Sequence, residues 1–109
     1  MALAHTGSGE VVNVRTVTSA VAVERTVALA KTEYFELIRI VLLAGKEVPE
    51  HSVAGPIILQ CLEGNVMMTV AGTHLEMNAG GLLHLDPGTP HALKAIEDSV
   101  VLLTIVFVP

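Results

Sequence analysis

The chain has 109 residues, which is room for one domain and leaves no second core. Apolar residues make up 51% of it and charged residues 16%, more apolar surface than a monomer of this size ordinarily encloses, so part of that surface is expected in a homodimer interface. A net charge of −5 with six scattered basic residues excludes the electrostatic footprint of a nucleic-acid or anionic-membrane partner. No apolar run approaches the length of a spanning helix, so a soluble, cytoplasmic protein is expected.

Residues 1–9 are small and polar, with Gly7 and Gly9, and are expected to form a flexible tail ahead of a single domain over 10–109. A first strand is expected at 11–17. The Ala-rich run at 20–25 permits a helical turn, but Val21, Val23, Val27 and Leu29 favour extended structure, and a strand is expected at 24–30. The next strand, 34–43, places Ile38, Ile40 and Leu42 on one face and Leu37, Val41 and Leu43 on the other, so both faces should be covered. Arg39 interrupts the second face. It is expected to emerge at an edge or interface, with a ligand clamp as the alternative.

Beyond Gly45 and His51, the bend at Ala54, Gly55 and Pro56 leads into a strand at 57–62, and Glu63-Gly64-Asn65 reads as a hairpin turn. Strands at 66–70 and 73–77 flank Ala71-Gly72. Val66, Met68 and Val70 alternate inward, while Met67 falls on the outer face, where something should cover it. Strands at 82–85, 91–95 and 100–108 follow, the first two separated by an Asp86-Pro87-Gly88-Thr89-Pro90 corner. No segment has sustained helical periodicity, and turn signals recur at short intervals, so the fold class is all-β. The lone Cys61 has no partner for a disulfide or a zinc knuckle and reads as a buried, unreactive apolar residue in a reducing compartment.

Gly45, His51 and Gly64, and then Gly80, Gly88 and His91, stand at spacings that resemble the two motifs of a small single-domain cupin of the RmlC-like kind. The resemblance implies a cupin-type double-stranded β-helix, a jelly-roll barrel, with a metal held at its mouth by three histidines and a glutamate. In register, Val53 stands at the second histidine position, Ile57 at the glutamate position and Ala95 at an asparagine position, and Asp86 replaces a proline that is found beside it as Pro87. His51 and His91 remain as candidate ligands for one weakly held divalent transition metal, Fe, Mn, Ni or Zn. Cys61 lies too deep along its strand to replace the glutamate. Gln60 and His84 should face away from the barrel interior, and His74 should be a solvated strand residue.

Three functions follow as expectations, because one fold hosts many activities. The first is a metal-dependent protein, dioxygenase-like or isomerase-like, acting on a small organic molecule through His51 and His91. The second is a non-catalytic binding or sensor barrel whose apolar pocket is lined by Val53, Ile57, Leu59, Met68, Leu83 and Leu93. The third is a metal-free acid/base enzyme of the sugar epimerase type, with His51 or His91 as base and Tyr34, the only tyrosine, as acid.

Overall fold

Alternating apolar residues between glycine and proline bends give nine strands in the computed structural model, which describes residues 5–14 and 26–108. They are β1 (Val27–Lys31), β2 (Phe35–Leu42), β3 (Glu47–His51), β4 (Ile57–Glu63), β5 (Asn65–Val70), β6 (Thr73–Asn78), β7 (Leu82–Leu85), β8 (His91–Ala95) and β9 (Ser99–Val106). No helix occurs among the described residues, and none is therefore long and apolar enough to cross a membrane. One sheet has the order β1-β2-β9-β4-β7 and the other β3-β8-β5-β6, with every pairing antiparallel. Only the β1–β2 and β5–β6 connections stay within a sheet. The rest cross between sheets, which is a jelly roll.

Inward residues of the two sheets meet in one core that includes Ile40, Leu42, Ile57, Leu59, Cys61, Val66, Met68, Leu93, Val101 and Leu103. The two ends of this barrel differ. At one end the connections β2–β3, β4–β5, β6–β7 and β8–β9 are stitched together by hydrogen bonds. Gly45 N–H donates to Ala95 O at 2.8 Å, Gly80 N–H to Cys61 O at 2.8 Å and Ile96 N–H to Asn65 O at 2.8 Å. Asn65 N–H donates to Ser99 Oγ at 3.0 Å, and that hydroxyl donates to Glu97 O at 2.6 Å. Val66, Cys61, Ala95, Val101 and Ser99 are all buried beneath this cap. At the other end the inward-phase residues Val53, Val70 and Ile105 are only half-buried beside the buried Ile57, Leu85 and His91, and Thr73 and His51 are exposed. The barrel is closed at one end and open at the other.

Several sequence expectations are corrected by this arrangement. Glu63-Gly64-Asn65 is no hairpin turn, because β4 and β5 belong to different sheets. Gly64 has φ 86, and a Cβ there would collide with Asp98 O and Ser99 Oγ, so glycine is needed where the chain changes sheets under the cap. Residues 11–14 form no strand, and 15–17 lie outside the described residues, as do the strand-expected residues 24 and 25. The tail expected over 1–9 is described from residue 5, where Thr6 N–H donates to Leu29 O at 2.7 Å. Arg39 is not at an edge: it is 4% exposed on β2, flanked in the sheet by β1 and β9. The β3 strand was not expected at all. Met67 is half-buried, in register between Lys94 and Glu76, whose long stems flank it on the outer face.

Candidate functional site

The open end carries both motif histidines, and a local device places each. On β8, the preceding corner is a turn in which Thr89 N–H meets Asp86 O at 3.3 Å, with Pro87 and Gly88 as its central residues. Gly88 has φ 77, the combination a type II turn requires. Thr89 Oγ1 also donates to Asp86 O, at 2.8 Å. Gly88 N–H donates to Val53 O at 2.9 Å and Ala71 N–H to Pro90 O at 3.0 Å, so the corner is tied to the β3–β4 loop on one side and the β5–β6 turn on the other. The chain then enters β8 with His91, Leu93 and Ala95 facing inward, and His91 is 3% exposed.

On β3 the device is a β-bulge. Val48 pairs with Leu93 and His51 with His91, so three steps along β3 match two along β8. In a regular strand residues three apart face opposite sides. The extra residue rephases the strand, so that Val48 packs against the core and His51 still stands beside inward-facing His91. Pro49 falls in this irregular stretch of an edge strand, where no ladder donor is needed.

The two imidazoles are adjacent, with ring centroids 4.4 Å apart and planes inclined at 56°. Each turns its Nδ1 onto the carbonyl two residues before it: His51 to Pro49 O at 3.0 Å and His91 to Thr89 O at 2.9 Å. A carbonyl oxygen only accepts, so in the neutral ring Nδ1 carries the proton and Nε2 keeps its lone pair. Metal-binding histidines are commonly held in the same way, donating the other ring N–H to a carbonyl or carboxylate. His51 is exposed and His91 buried, so the pair spans from solvent into the barrel.

The other candidates are distributed as follows. Ile57, Leu59, Met68 and Leu93 are buried in the core, and Val53 and Leu83 pack against it half-buried. Val70, the direct cross-strand partner of His91, and Ile105, the partner of Ile57, share the open end with Val53 and Ile57 and were missed as site residues, although the inward alternation of Val66, Met68 and Val70 already pointed there. Cys61 lies toward the closed end, two inward positions beyond Ile57. Burial pushes its thiol pKa up, with Glu97 adding to the rise and a hydrogen bond to the Glu63 carbonyl opposing it. His84 is exposed opposite Ile58 on the outer phase, and His74 Nδ1 contacts Thr69 Oγ1 at 3.1 Å on the exposed face of the β5–β6 hairpin. Tyr34 lies in the β1–β2 turn at the open end, 67% exposed, and its carbonyl accepts Phe107 N–H at 2.8 Å. Among the described residues, no group of three or more His, Cys, Asp or Glu side chains is arranged to hold a metal.

Comparison with known proteins agrees with the architecture. A family model described as Cupin domain matches residues 38–107. An RmlC-like cupin protein from Desulfovibrio desulfuricans is 30% identical, with 75% of this chain and 82% of that one covered and a TM-score of 0.69. A conserved protein of unknown function from Streptococcus pyogenes superposes over 100% of this chain and 96% of its own, with a TM-score of 0.77 at 19% identity. KdgF from Halomonas sp. has a TM-score of 0.70 at 18% identity, covering 74% of this chain and 77% of that one. At these last two identities the likeness is one of fold. No curated protein matches the chain.

Proposed function

Because the chain belongs to the cupin family, we propose that its barrel handles a small organic molecule at the open end, where His51 and His91 form a two-imidazole site for one exchangeable divalent transition metal. The observation that carries this reading is the ring pair itself, 4.4 Å apart, with both Nδ1 atoms committed to backbone carbonyls and both Nε2 lone pairs left for a ligand. The residues fit two-imidazole ligation, with water or an organic ligand completing the sphere. They do not fit the four-ligand set the family resemblance implies, since Val53 and the buried Ile57 stand where a histidine and the glutamate would be. Without the carboxylate the site lacks the charge that helps retain Mn or Fe, which favours Ni or Zn among the first-row ions.

When bound, the ion would supply Lewis acidity toward an oxygen of the organic molecule. The chain's own part is defined more closely. His51 and His91 present two acceptor nitrogens, their tautomer held by Pro49 O and Thr89 O, and Val53, Val70 and Ile105 border the opening with apolar surface. A metal-free binding barrel is the second reading, favoured by the apolar residues at positions 53 and 57. Calorimetric titration of Ni and Zn into wild type, His51→Ala and His91→Ala separates the two. One-to-one binding that is lost in both variants, with their folds intact, supports the metal site. Equally poor binding by all three proteins, together with organic ligand retained by ion-free protein, hands the conclusion to the binding barrel.

A further inference from the structure

At the open end a cavity of about 260 Å³ lies between the β3–β4 loop and the end of β9, lined by Val53, Ala54, Gly55, Ile105, Phe107 and Val108. Its walls are built by the backbone: Val106 N–H donates to Pro56 O at 3.0 Å, Phe107 N–H to Tyr34 O at 2.8 Å and Gly88 N–H to Val53 O at 2.9 Å. Gly55 approaches Val106 O so closely that a Cβ would meet the carbonyl, and this contact closes the loop over the strand end. No lining residue carries a charge or a side-chain hydrogen-bonding group. Phe107 and Val108 nevertheless stand 37% and 49% exposed, apolar surface left in water at the end of a strand whose inward residues fill the core.

Of the residues lining this cavity, Val53 is the one nearest the histidine pair along the chain. It follows His51 by two residues, packs against the core, and holds through its carbonyl the corner that delivers His91. The same residue occupies the position that the family resemblance gives to a histidine ligand, so a ligating position has become a wall of an apolar cavity. We infer that the cavity lined by Val53, Ala54, Phe107 and Val108 is the apolar subsite of the ligand whose polar group meets His51 and His91, and that the ligand is a neutral small molecule with a hydroxyl or similar donor at one end and a compact alkyl or aryl group at the other. A volume of about 260 Å³ holds on the order of eight water-sized groups, the scale of one six-membered ring with a substituent. Sugars and multiply charged acids would gain no side-chain hydrogen bond or ion pair from this lining. This inference rests on the reading of the two imidazoles as the polar end of the site.

The test uses the full chain, free of metal ions, with phenol as the probe and glucose as its polyhydroxylated counterpart. NMR follows the methyl signals of Val53 and Val108 together with the ring C–H signals of His51 and His91. Phenol is expected to move both sets with one saturation curve, and glucose neither. Ala54→Trp fills the cavity from an exposed loop position, and Phe107→Ala removes a wall; each is expected to weaken phenol by about tenfold or more. Phenol shifts at the methyls without shifts at the imidazoles would overturn the inference, as would unchanged affinity in both variants or equal binding of glucose. Since no ion is present, these outcomes are independent of the titration that tests metal binding.

Discussion

Replacing Gly55 by alanine tests how the open end is held together. Gly55 is buried and has no left-handed φ, so alanine is conformationally acceptable there, and the whole cost is steric. The new methyl would collide with Val106 O, a backbone atom that cannot swing aside as a side chain can. Relief requires the 52–56 loop to lift from β9, which weakens the Val106 N–Pro56 O and Gly88 N–Val53 O bonds at 3.0 and 2.9 Å. With each bond worth about 0.5–1.5 kcal/mol, the substitution should cost about 1–3 kcal/mol. At about 5 °C per kcal/mol for a domain of this size, the melting temperature should fall by about 5–15 °C. Gly88→Ala is the control, because its Cβ meets nothing within 4 Å and its cost is the φ of 77 alone, about 1–2 kcal/mol. Urea denaturation measures both, and binding at His51 and His91 should weaken in both, since each loosens the corner that presents His91. A Gly55→Ala protein within 0.5 kcal/mol of wild type would refute this account of the loop.

Other substitutions probe the rest of the barrel. Leu59 is 1% exposed in the middle of the core, and Leu59→Ala should cost about 3–5 kcal/mol in the same urea experiment; a loss below about 1 kcal/mol would mean that the sheets do not meet there. Cys61 should resist thiol reagents in the native protein, labelling no faster than the chain opens. Because burial raises its folded pKa above 9.0 while the unfolded thiol ionises normally, stability should fall as pH rises through 9 toward the folded value, and Cys61→Ala should flatten that loss. The chain should also form a homodimer, given its apolar fraction of 51% and the exposed Leu75, Leu82 and Ile96; a monomeric mass by light scattering at tens of micromolar, an order chosen to exceed ordinary dimer affinities, would contradict that.

What was legible in the sequence was whatever followed period two. Val66, Met68 and Val70, the Ala71-Gly72 turn and the following strand gave the β5–β6 hairpin, and its turn residues have φ values of 48 and 86, which a two-residue hairpin loop requires. Strands β7 and β8 were legible to the residue. Strand β3 was not, because Glu47-Val-Pro-Glu-His51 is a polar edge strand with a proline and a bulge, and both erase the alternation that a sequence reader uses. Gly64 misled because a left-handed glycine serves a sheet change as well as it serves a hairpin. The histidine pair could be expected from motif spacing. The cavity lined by Val53 and Phe107 could not, since it joins residues 53–55 to 105–108 through backbone contacts that leave no local pattern.

The central claim is that His51 and His91 share one site through their Nε2 atoms. Long-range proton–nitrogen NMR on histidine-labelled, ion-free protein tests it most directly, followed by one equivalent of Zn. Both residues should show the tautomer with the proton on Nδ1, and both Nε2 signals should move together on addition of Zn while His74 and His84 stay in place. A proton on Nε2 of either ring, or Zn shifts confined to His74 and His84, would contradict it.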